Sequence, residues 1–396
     1  MKLKKFETLE NLDDDLLKSL KYGGFIIEDY VNELSQLREI LLTSRYNSDT
    51  FSLTIAPTLD CNFRCSYCYE KDNLRNSKMN NDIFKYLLKF IENQMKNIKV
   101  LGITWYGGEP LLAFDVIENL SYEIIKMCKN YDVNYVSGMV TNGYLLTRDK
   151  VEKFKDLNIS NIQITLDGTQ KYHDKKRYLK DGSGTFNKII NNIEKTIDIL
   201  PSTSIRINLD KNNKDDLQNF LKFLNKIDTK SKLNVYIAKV KSYNDYDKDC
   251  CLNNNEFIEE ELNFCKRDGN ISYPILSSSY CSADTRNAFI INYDGNIYKC
   301  WQDIGILDKS VGYLNDLGLI FNHSKRYYDY MHYDVTIDEN CYKCKFLPIC
   351  MGGCPNERLE YNTRDCVKYK YMLDSFIKEF VYKLQNKKEK NYEILS

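Results

Sequence analysis

The sequence predicts an α/β protein, a partial (β/α)6 barrel of the TIM type followed by a small cysteine-rich unit. Three observations carry this reading. Short β-branched apolar runs alternate with longer amphipathic ones through residues 51 to 240, the pattern of βα units on a parallel sheet. A cysteine-rich loop, DCNFRCSYCYE, directly follows the first apolar run. After residue 276 cysteines become dense and helical periodicity fades.

Residues 1–50 form a polar lead-in, in which LKYGGFII reads as a short strand and EDYVNELSQLREILL as a helix. The repeat then begins. SLTIAP pairs with NDIFKYLLKFIENQM, LGITWY with FDVIENLSYEIIKMC, and NYVSGMV with RDKVEKFKDL. NIQITL pairs with FNKIINNIEKTIDIL, TSIRINL with KDDLQNFLKFLNKI, and LNVYIAKV closes the series. Six strands fall short of a closed eight-stranded barrel, so one side is expected to stay open. Residues 241–275 connect, with one helical patch at EFIEEELNFCK; 276–370 make the second unit, and 371–396 a closing amphipathic helix. NYDGNIYKC reads as a hairpin turning at Asp294–Gly295.

Lys+Arg and Asp+Glu number 56 each, a balance that gives no basic footprint for nucleic acid. No apolar run is long enough to span a membrane, and MKLKKFETLENLDDD lacks a signal-peptide core, so a cytoplasmic protein is expected. In that compartment 14 cysteines are not stored as disulfides. Spaced groups point to metal or iron–sulfur ligation. Cys128, and the Cys250–Cys251 pair, read instead as small buried hydrophobes.

Cys61, Cys65 and Cys68 are spaced C-x3-C-x2-C at the C-terminal end of the first strand, the face where barrel chemistry collects. Three thiolates can hold three irons of a cubane and leave the fourth open. Structural zinc is the competitor, but it usually takes four ligands. The stretch resembles the cluster loop of radical S-adenosylmethionine (radical SAM) enzymes, with Tyr69 as the aromatic that follows. The resemblance implies that SAM's amino and carboxylate groups chelate the open iron. Reduction then yields methionine and a 5′-deoxyadenosyl radical.

Other strand ends carry the same resemblance. Gly107, Gly108 and Glu109 in GGEP look like the motif that approaches the SAM amino group. Asn142 in MVTNG and Asp167 in ITLDG are implied SAM contacts. Arg177 in HDKKR is implied to meet the SAM carboxylate, with His173 a structural hydrogen-bond partner. Asn208 or Arg206 is a further candidate.

The downstream array is similar to the SPASM domain, a module of radical SAM enzymes that modify peptides and proteins; zinc knuckles are the alternative. The resemblance implies two auxiliary [4Fe–4S] clusters, three in all. Cys281, Cys300 and Cys354 would serve the first, and Cys341, Cys344, Cys350 and Cys366 the second. A fourth ligand of the first is left to Cys265, Cys251, Cys250 or substrate. The implied function is maturation of a ribosomal peptide, by a thioether or other cross-link, with flavodoxin or ferredoxin as electron donor. A separate leader-binding protein is a further expected partner. The alternative is an anaerobic sulfatase maturase making formylglycine. Those enzymes resemble one another in an aspartate base after the hairpin cysteine, where this chain has Trp301, with Asp303 two residues on.

Overall fold

The computed structural model describes residues 13–23, 26–242, 246–267, 271, 273–277 and 281–393, with side chains to residue 386. Six parallel strands follow one another as read: β1 (Thr50–Ile55), β2 (Val100–Trp105), β3 (Asn134–Thr141), β4 (Ile159–Thr165), β5 (Ser202–Leu209) and β6 (Leu233–Lys239). The sheet does not stop at β1. Four further strands, β7 (Ala288–Ile291), β8 (Asn296–Tyr298), β9 (Gly312–Leu314) and β10 (Ile320–Phe321), extend it in the order β10-β9-β8-β7-β1-β2-β3-β4-β5-β6. β7 pairs parallel with β1, Leu53 facing Phe289, and β7 to β10 then run antiparallel. The cysteine-rich segment is therefore hydrogen-bonded into the barrel sheet.

The helices are α1 (Asp14–Tyr22), α2 (Glu33–Arg45), α3 (Asn81–Glu92), α4 (Phe114–Tyr131), α5 (Arg148–Lys153), α6 (Gln170–Lys176) and α7 (Phe186–Thr196). They continue as α8 (Leu217–Ile227), α9 (Asn254–Arg267), α10 (Lys325–His332), α11 (Leu347–Cys350), α12 (Pro355–Tyr361) and α13 (Tyr369–Glu393). None is long and apolar enough to cross a membrane, among the described residues.

Strand alternation sorts the two faces. Phe51, Leu53, Ile55, Leu101, Ile103 and Trp105 point outward and are buried under the helices. Ser52, Thr54, Gly102, Thr104, Gln163, Thr165, Arg206 and Asn208 point inward and line cavities. The helices answer with stripes at i, i+3, i+4, such as Leu87, Phe90 and Ile91 on α3 or Leu217, Phe220, Leu221 and Leu224 on α8. The Asn80 side chain starts α3 by accepting the amides of Asp82 and Ile83, at 3.0 and 2.9 Å.

The lead-in departs from expectation. Leu20, Lys21 and Tyr22 belong to α1, not to a strand, and Gly24 and Phe25 lie outside the described residues. Asp13 caps this helix, and Asp14 and Asp15 fill its first turn, a start signal that outweighs the apolar run at its end. Helix α2 docks on the C-terminal segment: Leu37 and Leu41 pack with Val335, Cys341, Leu347 and Met351. Buried Arg45 donates to the carbonyls of Met331 and Tyr333, at 3.0 and 2.6 Å.

Candidate active site

The cysteine loop leaves β1 and is held by backbone bonds at both sides. Arg64 and Ser66 donate their amides to the carbonyls of Tyr178 and Lys176, at 2.8 and 2.9 Å. Cys61, Cys65 and Cys68 are half-buried, and none is in a disulfide. Cys65 and Cys68 face a chamber of about 300 Å³ at the C-terminal ends of the strands. Burial pushes the Cys68 thiol up to about 12 and raises Cys61 and Cys65, which also repel one another as thiolates. Bound iron, by coordinating thiolate, would reverse that preference.

The GGEP turn lies against this loop. A Cβ on Gly107, whose φ is +110°, would sit 2.3 Å from the Thr58 carbonyl oxygen; one on Gly108 would sit 2.4 Å from that of Asp60. The amides of Gly108 and Glu109 donate to those carbonyls, at 3.3 and 2.9 Å. The close approach that the glycines permit is thus to the cysteine loop's own backbone. Glu109 is fully buried and accepts three bonds: from the Leu111 amide (3.0 Å), the Thr141 hydroxyl (2.7 Å) and the Asn142 amide (2.7 Å). It ties the end of β2 to that of β3. Asn142 in turn donates from Nδ2 to Asn62 Oδ1, at 2.8 Å, back on the cysteine loop.

Tyr67, between Cys65 and Cys68, is the node that sequence reading missed. Its hydroxyl donates to Asp167 Oδ2 and accepts from Arg177 Nη1 (2.8 Å) and Asn208 Nδ2 (3.0 Å). One phenol thereby gathers the ends of β4 and β5 and the end of α6. The position inside the motif was its signal, hidden among 31 tyrosines. Arg177 is buried, caps the Phe63 ring at 5.6 Å, and has an Nε with no partner. A buried guanidinium that meets a phenol, with a nitrogen to spare, suits an incoming carboxylate. His173 is wholly buried, with Nδ1 accepting the Asp167 amide (3.3 Å) and Nε2 meeting the Thr185 hydroxyl (3.0 Å), the structural role expected. Tyr69 bonds Tyr106 through their hydroxyls, and Tyr106 lies against Trp301.

The remaining cysteines gather in two places. Cys281, Cys300 and Cys354 line one cavity of about 580 Å³ beside the inner face of β1 to β3. Cys341, Cys344, Cys350 and Cys366 line another, of about 470 Å³. Trp301 and Gln302 line both the first of these and the Cys65–Cys68 chamber. Among the described residues no three His, Cys, Asp or Glu side chains close on a single ion; the thiol sets surround cavities instead, a donor arrangement that fits clusters. Cys265 is buried on α9 and lines neither cavity. Cys250 and Cys251 sit by Asp247 instead. Asp303 is fully buried and clamped by Arg326, whose Nε and Nη2 donate at 3.0 and 2.8 Å to Oδ2. The strand ends at Tyr298, and a 3-10 turn over Trp301–Asp303 turns this carboxylate away from the chamber.

The class follows from this arrangement. Residues 55–224 match the Radical SAM superfamily model, and the chain carries a radical SAM domain, which implies a [4Fe–4S] cluster and SAM. Among particular relatives, it is 26% identical over 374 residues to the cysteine-type anaerobic sulfatase-maturating enzyme of Clostridium novyi (strain NT), covering 84% of this chain and 97% of that one. It is 28% identical over 211 residues to the radical SAM cyclopropyl synthase TigE of Paramaledivibacter caminithermalis, covering 48% and 43%. Its fold is that of anSMEcpe, solved with AdoMet and the Cp18Cys peptide (TM-score 0.65, 20% identity, 85% and 98% covered). It is also that of Streptococcus suis SuiB bound to SAM (TM-score 0.56, 16% identity, 88% and 84% covered).

Proposed function

We propose that this chain is a radical SAM peptide maturase that forms a thioether or other cross-link in a ribosomally made peptide. Residues 51–240 act as the catalytic barrel and 276–370 as the auxiliary-cluster unit. When bound, a [4Fe–4S] cluster and SAM supply a 5′-deoxyadenosyl radical able to take hydrogen from a peptide carbon. Cys61, Cys65 and Cys68 hold that cluster. Arg177, oriented by Tyr67 and Asp167, holds the SAM carboxylate. Cys281, Cys300 and Cys354 hold a second cluster, and Cys341, Cys344, Cys350 and Cys366 a third. Support for three comes from the sorting of nine cysteines around three cavities. Cys61, the tenth, packs against the core in the same loop, near enough to Cys65 for the two to repel as thiolates.

The observation that carries the cross-linking reading is Trp301 after Cys300, with Asp303 locked to Arg326. No carboxylate lines the Cys65–Cys68 chamber, among the described residues, to act as the base of formylglycine formation. The second reading, a sulfatase maturase, is favoured by the end-to-end similarity to the Clostridium novyi enzyme. An electron donor of the flavodoxin or ferredoxin type and a separate leader-binding protein belong to the proposal. The test is anaerobic reconstitution with SAM, dithionite and two substrates: a Cys-containing peptide encoded beside the gene, and a sulfatase-derived Cys peptide. A loss of two hydrogens in the first supports cross-linking. Formylglycine in the second supports the alternative. Zinc in place of iron, with no 5′-deoxyadenosine, sinks both.

A further inference from the structure

The sheet ends in β10 on one side and in β6 on the other, and the two edges differ. β10 is two residues long, too short to pair with another chain. β6 is seven residues long, carries no Pro, and keeps an unbroken register with β5 from Leu233 to Lys239. Short length, proline and bulges, the devices that usually blunt an edge, are all missing from it.

Thr203 donates its amide to the Lys232 carbonyl, and Val240 donates to the Leu209 carbonyl, at 3.4 and 3.1 Å. Even-numbered residues of β6 therefore turn their N–H and C=O to β5, and Val235, Ile237 and Lys239 turn theirs to the free edge. No hydrogen bond reaches the main-chain groups of these three residues from that side, among the described residues. Leu233, which also faces the edge, donates its amide to Asp228 Oδ2 at 3.1 Å. Ile237 is only 8% exposed. An N–H and a C=O at so enclosed a position normally have partners.

The edge leads into the candidate site. Lys239, Val240 and Lys241, at the C-terminal end of β6, line the Cys65–Cys68 chamber. Lys241 is ion-paired with Glu357 at 2.8 Å, three residues past Cys354 of the first auxiliary set. A chain laid along β6 would run to the place where the chamber meets the auxiliary unit.

We propose that β6 is a strand-addition site for the peptide substrate. An extended segment next to the attacked residue pairs main chain to main chain with Val235, Ile237 and Lys239, and is led by them into the chamber. The inference rests on the peptide-maturase reading and adds how the peptide is held. At roughly 3.3 Å per residue these three edge residues engage about five residues of peptide. The competing occupant is a second copy of this chain, paired edge to edge. It would lie across the mouth of the chamber that a substrate must enter.

The test uses the cluster-loaded, oxidised full chain with SAM bound, under anaerobic conditions. A randomised peptide library around a fixed Cys is passed over it. The best-retained peptide is then resynthesised with an N-methyl group on one amide at a time. Each N-methyl on an amide that faces β6 should weaken binding about threefold to tenfold, and those between should not, so the loss has a period of two. Val235→Pro removes one edge N–H and no ladder bond to β5. Iron content and SAM affinity should stay as in the parent while peptide binding falls about tenfold. Val235→Ala, which keeps the N–H, should hold the peptide as the parent does. Should the Pro variant lose iron, the N-methyl pattern on the parent decides alone. Losses without a period of two overturn strand addition and leave the maturase reading standing. A dimeric parent that becomes monomeric with Val235→Pro overturns it too, assigning the edge to a second copy. Retention of no peptide above background overturns both readings.

Discussion

The indole of Trp301 packs on the phenol of Tyr106, with ring centroids 4.3 Å apart and planes 36° apart. Tyr106 meets Tyr69, the residue after Cys68, and Trp301 is the residue after Cys300. Three rings therefore stand between the cysteine loop and the first auxiliary cavity, and Trp301 lines both chambers. The indole nitrogen donates to Thr54 at 3.2 Å and fixes the ring against β1.

Trp301→Ala removes that wall. Because Trp301 is only partly buried, the stability cost should fall below the full core range, at about 2–3 kcal/mol. The functional mark should be uncoupling: 5′-deoxyadenosine still forms, but the ratio of modified peptide to deoxyadenosine falls. Trp301→Phe should restore most of that ratio. An unchanged ratio in the Ala variant would mean that the ring is packing only.

Arg177→Gln should weaken SAM binding by about tenfold to a hundredfold, the span of a lost charge-assisted bond of about 1.5–3 kcal/mol. Iron content should remain that of the parent, since Arg177 contributes no thiolate. Equilibrium dialysis with labelled SAM, alongside an iron count, separates the two. Parental SAM affinity would remove Arg177 from the site.

Glu109→Gln exchanges one carboxylate oxygen for an amide nitrogen. Leu111 and Thr141 share Oε1, and Asn142 uses Oε2. Whichever way the new amide points, one buried backbone N–H loses its acceptor. The expected cost is about 2–3 kcal/mol, read as a lower denaturation midpoint. An unchanged midpoint would show that the strand ends are held together by other bonds.

Much of the candidate site was legible because it is written locally. Cys61, Cys65, Cys68 and GGEP are short motifs at strand ends, and period-two alternation placed those ends. Tyr67 was not legible, because its importance lies in three partners 100 to 141 residues away. The pairing of β7 with β1 was hidden for the same reason: the local signal there is the hairpin that begins at Asn292, and the parallel partner of Ala288 to Ile291 is more than 200 residues back. In the lead-in, LKYGGFII was too short a run to outweigh an acidic helix start.

Burial holds the His173 imidazole well below its usual range, with Arg177 and Lys176 adding repulsion, so the folded protein keeps it neutral. The unfolded chain protonates it near its ordinary value of about 6.5. The folded pKa is the lower one, so the unfolded state binds the extra proton. Stability is full above about pH 6.5 and falls as pH drops below it, by up to about 1.4 kcal/mol per pH unit for this one group. His323 is shifted the same way and adds to the slope. Comparing urea midpoints of the parent and His173→Gln between pH 7.5 and 5 isolates the first. The variant should show the shallower slope; equal slopes would refute the assignment.

The fourth position of the first auxiliary set gives the last test. Cys265 is buried on α9 among Glu261, Lys368 and Lys383, and it lines neither cysteine cavity. Cys265→Ala should keep all of its iron, about twelve per chain for three cubanes. It should lose only the packing of a small buried side chain, about 1 kcal/mol. Cys354→Ala, which removes a thiol from the cavity it shares with Cys281 and Cys300, should lose about four irons. If the Cys265 variant lost four irons instead, α9 would have to move to complete that cluster. The open position would then belong to this chain and not to its substrate.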